Sequence, residues 1–278
     1  FSLGVVIGAV VNFAVQLPAL RSVGIKYHLS WDYKNPGFKR IMILMIPVLV
    51  GLSVVQINLF VTQNLASSVG EGMISAMNLA QKIMNLPIGI FGVAIATAVF
   101  PTLTALTARG DMKKFRSANS IGLRAVFLVT IPASVGLVAL GEPLIKLLFQ
   151  QGQFTAAMSS ITFQVLVYFC IGLFAYSGIQ ILNRSFYALK DTLTPLSAGV
   201  LTIGLNILLS VYLVHPMGVK GLALASSLAG IFNLVFLLLV LRCKSGPIGG
   251  RKIAACLGVS LLGSAVMFAA VHYSINYL

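Results

Sequence analysis

Residues 219–241 read VKGLALASSLAGIFNLVFLLLVL, and after Lys220 this stretch carries no charged side chain. A helix needs about 20 apolar residues to cross the hydrocarbon core of a bilayer, so the stretch is long enough to span one. Seven further apolar runs occupy, in chain order, about 1–20, 41–67, 73–107, 118–140, 157–182, 193–214 and 252–271. The pattern predicts an all-α integral membrane protein with about eight transmembrane helices.

Composition and charge agree with this prediction. The 278-residue chain is 58% hydrophobic and only 9% charged, too little charge to cover the surface of a soluble domain. A net charge of +14 would suggest nucleic-acid binding in a soluble protein. Here all but four of the 19 Lys and Arg residues fall in four alternate loops, at about 21–40, 109–116, 184–190 and 242–252.

The loops between these basic ones hold only Lys146 and Lys220. Such an asymmetry is typical of multi-pass proteins whose basic loops face the cytoplasm. We therefore assign the basic side to the cytoplasm, and we reject nucleic-acid binding because the charges are divided among separate loops.

Residues for catalysis or for holding a cofactor are scarce. The three histidines are peripheral, the three cysteines show no C-x-x-C spacing, and no H-E-x-x-H or G-x-S-x-G motif occurs. An enzyme needs acids, bases or nucleophiles in a shared pocket, and the acidic residues all lie in loops or at span ends. We therefore predict neither an enzyme nor a metal or cofactor site. The acidic residues are Asp32, Glu71, Asp111, Glu142 and Asp191.

The run 73–107 is too long for one straight span, and Pro87, Gly89 and Gly92 lie within it. Proline removes a backbone donor and clashes with the preceding turn, so a kinked or broken helix is predicted there.

Two basic residues lie inside predicted spans. Arg124 is about two turns from a cytoplasmic end, where a long side chain can reach the headgroups. Lys82 lies deeper, on a stripe whose members recur every three or four residues and so share one helical face. This stripe is either interhelical hydrogen-bond glue or a cationic cavity wall for an anionic substrate. Its members are Glu71, Ser75, Asn78, Lys82, Asn85 and Gly89.

Other spans carry shorter polar faces. Asn12 and Gln16 are one turn apart on the first span, and Gln56 shares a face of the second with Ser53 and Gln63. Each group alone is more typical of helix packing than of ligand binding. Together they indicate helices around a hydrated interior, as in a transporter.

Three stretches resemble a known family. They are AQKIMNLPIGIFGVAIATAVFPTLT (80–104), LFQQGQFT (148–155) and NRSFYALKDTLTP (183–195). Both the stretches and the order in which they occur are similar to those of the MurJ/MviN lipid II flippases, which belong to the multidrug/oligosaccharidyl-lipid/polysaccharide exporter superfamily.

The resemblance implies a fold of fourteen helices, in two lobes of six plus two C-terminal helices. The chain would then be a fragment of a longer protein, and the fragment would hold helices six to thirteen. Residues 1–20 would be the last helix of the N-lobe, 21–40 a cytoplasmic amphipathic loop, 41–241 a C-lobe of six helices, and 252–271 the first extra C-terminal helix.

The resemblance also implies a location, the bacterial cytoplasmic membrane, and a function. The family moves lipid II, an undecaprenyl-pyrophosphate-linked peptidoglycan precursor, from the inner to the outer leaflet by alternating access, driven by the membrane potential or a coupled cation. The alternatives are a polysaccharide-lipid or multidrug exporter of the same superfamily, and a scaffolding membrane protein.

Residue by residue, Lys82 stands at the position of a cavity arginine in this family, and Gln81 and Asn85 stand where some members have acidic residues. We therefore expect a substrate-binding site, with no cofactor, that is built from Lys82, Asn78, Asn85, Gln81, Gln56 and Asn12.

Overall fold

The computed structural model describes residues 2–22, 53, 55–150 and 154–277. Most of the expected amphipathic loop, from 23 to 40, and the first part of the second apolar run, from 41 to 52, lie outside these described residues. The chain divides into two compact units, Phe1–Leu49 and Val50–Leu278. The first contains helix α1, Ser2–Ser22, with a shorter apolar core at Val6–Val15.

The second unit is helical, and no strand occurs in the described part of the chain. In the described part of the chain, six helical segments of 22 to 38 residues are long and apolar enough to cross a membrane. This confirms the predicted fold class. In chain order the elements are α2 (55–69), α3 (Met73–Pro87), a π-helical segment (Ile88–Val93), α4 (Ala94–Ala108), α5 (Met112–Phe149), α6 (Ala156–Ala188), α7 (Leu193–Met217), α8 (Val219–Ser245) and α9 (Gly250–Tyr277).

Helix α6 lies at the centre of this unit and packs against α3, α4, α5 and α8. Small residues on its surface allow the close approach: a Cβ added to Gly172 would lie 2.7 Å from the Cα of Ser227 on α8. Such small-residue contacts are the usual way in which helices pack where lipid removes the hydrophobic drive between them. The Ser227 hydroxyl adds a hydrogen bond of 2.7 Å to the backbone oxygen of Tyr168.

The third run forms a continuous helical span rather than a broken one, and its winding changes directly after Pro87. Residues 73 to 108 stay helical, but Ile88–Val93, directly after Pro87, is wound as a π-helix. Proline cannot donate to the preceding turn, and a wider π turn is one way to absorb the lost bond. Gly92 lies in this segment, where a Cβ would come 3.3 Å from the Cα of Ser177 on α6.

The basic turns meet on one side of the unit. Arg116, near the start of α5, donates a hydrogen bond of 3.2 Å to the backbone oxygen of Ser245 at the end of α8. Lys244 pairs with Asp191, which lies between α6 and α7. The α4–α5, α6–α7 and α8–α9 connections are therefore neighbours, as expected of antiparallel helices that cross the membrane in alternation.

Candidate functional site

Helix α3 has two chemically distinct faces. Its buried face packs into the core with α6 and consists of Ala76, Met77, Ala80, Ile83, Met84 and Pro87. The predicted polar stripe lies on the other face, and every member of it is exposed in this unit: Glu71, Ser75, Asn78, Lys82, Asn85 and Gly89. At Gly89 a Cβ would meet no atom within 4 Å, so this end of the stripe faces open space.

Lys82 has no partner of opposite charge among the described residues. The ion pairs there join Lys114 to Asp111, Lys146 to Glu142 and Lys244 to Asp191. The carboxylate that shares the stripe, Glu71, lies eleven residues away, or roughly 16 Å along a helix with a rise of 1.5 Å per residue. An uncompensated ammonium in a membrane span requires water or an anionic ligand beside it.

A cleft between α2 and α3 adds polar groups next to Lys82. It brings Asn78 and Gln81 of α3 against Thr62 and Gln63 of α2. Amide side chains beside a cation can donate hydrogen bonds to the oxygens of a phosphate or a sugar. The cleft therefore holds two of the expected site residues, Asn78 and Gln81, while Lys82 and Asn85 lie on the same helix outside it.

The remaining two expected residues are less closely tied to this group. Gln56 lies on α2, outside the residues that line the cleft. Gln56 is exposed. Asn12 lies on α1, which belongs to the other compact unit.

Polar side chains on other spans hold helices together. Tyr176 donates a hydrogen bond of 2.9 Å to the backbone oxygen of Ser226, and the Asn206 amide donates one of 3.2 Å to the Ser226 hydroxyl. The Asn119 amide similarly donates to the Ser185 hydroxyl at 2.6 Å. These hydrogen bonds join α6 and α7 to α8, and α5 to α6. The side chains therefore link helices rather than bind a ligand.

The sequence did not predict a second cationic site, which lies at the basic end of α5. Four cations, Lys113, Arg116, Arg124 and Lys252, line one pocket there with the α8–α9 connection. The available signal was the spacing of Lys113, Arg116 and Arg124 along one helix. What sequence could not supply was the packing of α9 against α5, which adds Lys252 from 128 residues farther along the chain.

Comparison with known proteins identifies the family. The family profile described as "Lipid II flippase MurJ" matches residues 1–278. The probable lipid II flippase MurJ of Vibrio cholerae is 34% identical over 237 residues, which cover 85% of this chain and 45% of that protein. The chain thus spans about half the length of the curated relatives it matches.

Solved structures give the same result. A structure titled "Lipid II flippase MurJ, inward closed conformation" superposes with a TM-score of 0.78 at 29% identity, covering 95% of this chain and 54% of that one. An outward-facing multidrug resistance MATE transporter of the MOP superfamily superposes with a TM-score of 0.63 at 18% identity, covering 83% and 53%, which shows a shared fold alone.

These matches agree with the resemblance seen in the three sequence stretches and favour this family over the wider superfamily. Its members are transporters rather than enzymes, and with six apolar spans among the described residues the chain is a multi-pass protein of the bacterial cytoplasmic membrane. The chain belongs to the lipid II flippase MurJ family.

Proposed function

We propose that this chain forms part of a transporter that flips lipid II from the inner to the outer leaflet by alternating access. Residues 41–241 would form one lobe, 1–20 the last helix of the preceding lobe, 21–40 the cytoplasmic loop between them and 252–271 an additional helix. Relative movement of two such lobes around a central site is the usual mechanism of repeat-built transporters.

The observation that carries the proposal is the exposed, unpaired Lys82 on the polar face of α3. A pyrophosphate supplies the negative charge that this ammonium lacks, and Asn78, Gln81 and Asn85 supply amide donors beside it. Gln56 of α2 would add another amide, and Asn12 of α1 stays a prediction from the sequence alone. Lysine binds phosphate as a point charge, without the two-pronged geometry of arginine.

The source of energy has two candidates, the membrane potential and a coupled cation. Among the described residues, Asp111, Glu142 and Asp191 each pair with a lysine, and none of them lies on the Lys82 stripe. Transport that stops when the potential is collapsed, with the sodium gradient kept, supports the first candidate. Transport that stops only when the sodium or proton gradient is removed supports the second.

Complementation tests the function. The intact protein is expressed in a bacterium depleted of its own lipid II flippase, and growth and cell shape are scored at matched membrane abundance. We expect rescue by the wild type. Normal expression and membrane insertion without rescue would contradict lipid II transport, and rescue of a strain that lacks a polysaccharide-lipid exporter instead would support the alternative.

A further inference from the structure

The Lys82 stripe, the polar face of α3 with Asn78, Lys82 and Asn85, lies on a helical span whose buried face changes phase once. Up to Pro87 the buried positions recur every three or four residues, which is the repeat of an α-helix. If that α-helix continued unchanged, positions 91, 94, 98 and 105 would be buried next. The residues at these positions are Phe91, Ala94, Ala98 and Ala105, and all four are exposed.

The buried face of the second half of the span begins one residue later. Gly92, Ala96 and Leu103 are buried instead, and Val99 and Leu106 are partly buried beside them. A displacement of one residue is a rotation of about 100° in a helix with 3.6 residues per turn. It occurs in the π-helical segment Ile88–Val93, because the wider π turn takes up one extra residue. Both halves therefore pack against α6, although their sequence patterns are out of phase.

The π-helical segment is held closely on one side and is open on the other. A Cβ added to Gly92 would lie 3.3 Å from the Cα of Ser177 on α6. Ser177 is fully buried, and its hydroxyl donates a hydrogen bond of 3.0 Å to the backbone oxygen of Leu173. On the open side, Ile90 is 61% exposed and a Cβ at Gly89 would meet no atom within 4 Å. The extra residue is therefore held without disturbing the core.

We propose that this π turn is the positioning element of the candidate substrate site. In an unbroken α-helix, the residues of α3 in phase with Gly92 would be Gln81 and Asn85. Packing α4 as it is now would then turn these amides toward α6, where an amide without a partner is unfavourable, and would turn Ile83 out of the core. The π turn keeps the amides and Lys82 on the exposed face. Pro87 sets its place, because a residue without a backbone N–H cannot complete the α-helical bond there.

The role of the stripe in binding substrate rests on the proposed function, but the phase of the helix can be tested without transport. Deletion of Ile90 from the intact protein removes the extra residue and brings both buried faces into one α-helical repeat. We expect this variant to melt in detergent within about 3 °C of the wild type.

Deletion of Ala98 is the matched control, because it also removes one exposed residue, but from the regular helix α4. It should turn Leu103 out of the core and lower the melting temperature by at least about 5 °C. Equal losses of stability in the two deletions would overturn the proposal, since the π-helical segment would then hold no extra residue.

Thiol labelling measures which face of α3 is exposed. In a background with the three native cysteines replaced by serine, Gln81→Cys reports an exposed position and Ile83→Cys one that is 6% exposed. A charged maleimide should react at least tenfold faster with Gln81→Cys than with Ile83→Cys, and deletion of Ile90 should change this ratio by less than twofold. One alanine inserted between Leu86 and Pro87 should turn α3 and lower the ratio at least tenfold. A ratio that the insertion leaves unchanged would overturn the proposal.

A combined variant separates this inference from the proposed function. The alanine insertion together with deletion of Ile90 restores the residue count between Lys82 and Gly92, so it should restore the labelling ratio to within twofold of the wild type. Lipid II transport should fall at least tenfold with the insertion alone and recover in the combined variant. Labelling that follows this order while transport does not would support the positioning role of the π turn and contradict the substrate role of the stripe. Labelling that the deletion fails to restore would contradict the positioning role.

Discussion

At the scale of single residues, Asp191 connects two turns on the basic side of the unit. Its carboxylate accepts hydrogen bonds from the backbone N–H and the hydroxyl of Thr194, at 3.0 and 2.6 Å, and pairs with Lys244. Burial alone would raise the pKa of Asp191, but the hydrogen bonds from Lys244 and Thr194 outweigh it and lower the pKa to about 2. The ionised form therefore joins the start of α7 to the end of α8.

Replacing this carboxylate should destabilise the protein. We expect Asp191→Ala to lower the free energy of unfolding by about 1–2 kcal/mol, because it removes both a helix-start acceptor and a charge-assisted bond. Asp191→Asn should cost less, since its amide oxygen can still accept from Thr194. Thermal unfolding in detergent measures both, with Asp111→Asn, at an exposed helix start, as the control. Equal melting temperatures for wild type and Asp191→Ala would contradict this role.

The same group predicts a pH dependence. Because the folded pKa is lowered from 3.8 to about 2, the stabilisation is fully present above about pH 4 and is lost as the pH falls toward 2. The difference in melting temperature between wild type and Asp191→Ala should therefore shrink between pH 4 and pH 2. A difference that stays constant over this range would show that charge on Asp191 is irrelevant to stability.

At the scale of elements, two turns on the basic side have the same backbone geometry but different residues at the key position. In the α4–α5 turn Gly110 has φ +70° and the N–H of Asp111 bonds to the oxygen of Leu106 at 3.0 Å. In the α6–α7 turn Lys190 has φ +59° and the N–H of Asp191 bonds to the oxygen of Phe186 at 2.9 Å. Both are helix ends closed by a left-handed residue, a position that favours glycine.

These turns give opposite predictions for opposite substitutions. Lys190→Gly should raise the free energy of unfolding by about 1 kcal/mol, because glycine adopts the left-handed conformation without the steric cost of a side chain. Gly110→Ala should lower it by a similar amount, although a Cβ at Gly110 meets no atom within 4 Å. Chemical unfolding of both variants measures the effect. Changes of the same sign in the free energy of unfolding would contradict the interpretation.

The contact between α6 and α8 makes another prediction. Gly172→Ala places a Cβ 2.7 Å from the Cα of Ser227, and since backbone must move, we expect a loss of about 1–3 kcal/mol. Gly204→Ala, on α7, meets nothing within 4 Å and should be neutral or slightly stabilising. The two melting temperatures in detergent test this, and a Gly172→Ala protein as stable as the control would contradict the close approach.

At the scale of the whole molecule, the charge asymmetry of the loops predicts an orientation of the chain in the membrane, and this orientation can be measured. Cys243 is exposed beside the basic α8–α9 connection, whereas Cys170 is buried and Cys256 half-buried. A membrane-impermeant maleimide should therefore label Cys243 only after the cells are permeabilised. Lys220→Cys, made in a Cys243→Ser background, should be labelled in intact cells, and the reverse pattern would invert the proposed topology.

Much of this architecture could be predicted because it rests on local patterns. The apolar runs predicted the spans from 73 onward, Pro87 marked the place where the winding of the third run changes, and three- and four-residue spacing placed Asn78, Lys82 and Asn85 on one face. The pocket of Arg124 and Lys252 could not be predicted, because it depends on which helices pack together. Arg124 alone looked like a residue that reaches the headgroups, and only the position of α9 shows that other cations surround it.

The central claim is that Lys82 on the exposed face of α3 contacts the anionic headgroup during transport. The most direct measurement is the rate at which lipid II reaches the outer leaflet of cells that depend on the intact protein, at equal membrane abundance. Lys82→Ala should slow this rate by at least tenfold, because it removes a charge-assisted contact worth about 1.5–3 kcal/mol. Lys82→Arg should keep most of it, and Lys220→Ala, at the opposite side's loop, should leave it unchanged. A Lys82→Ala protein that transports at the wild-type rate would contradict the account.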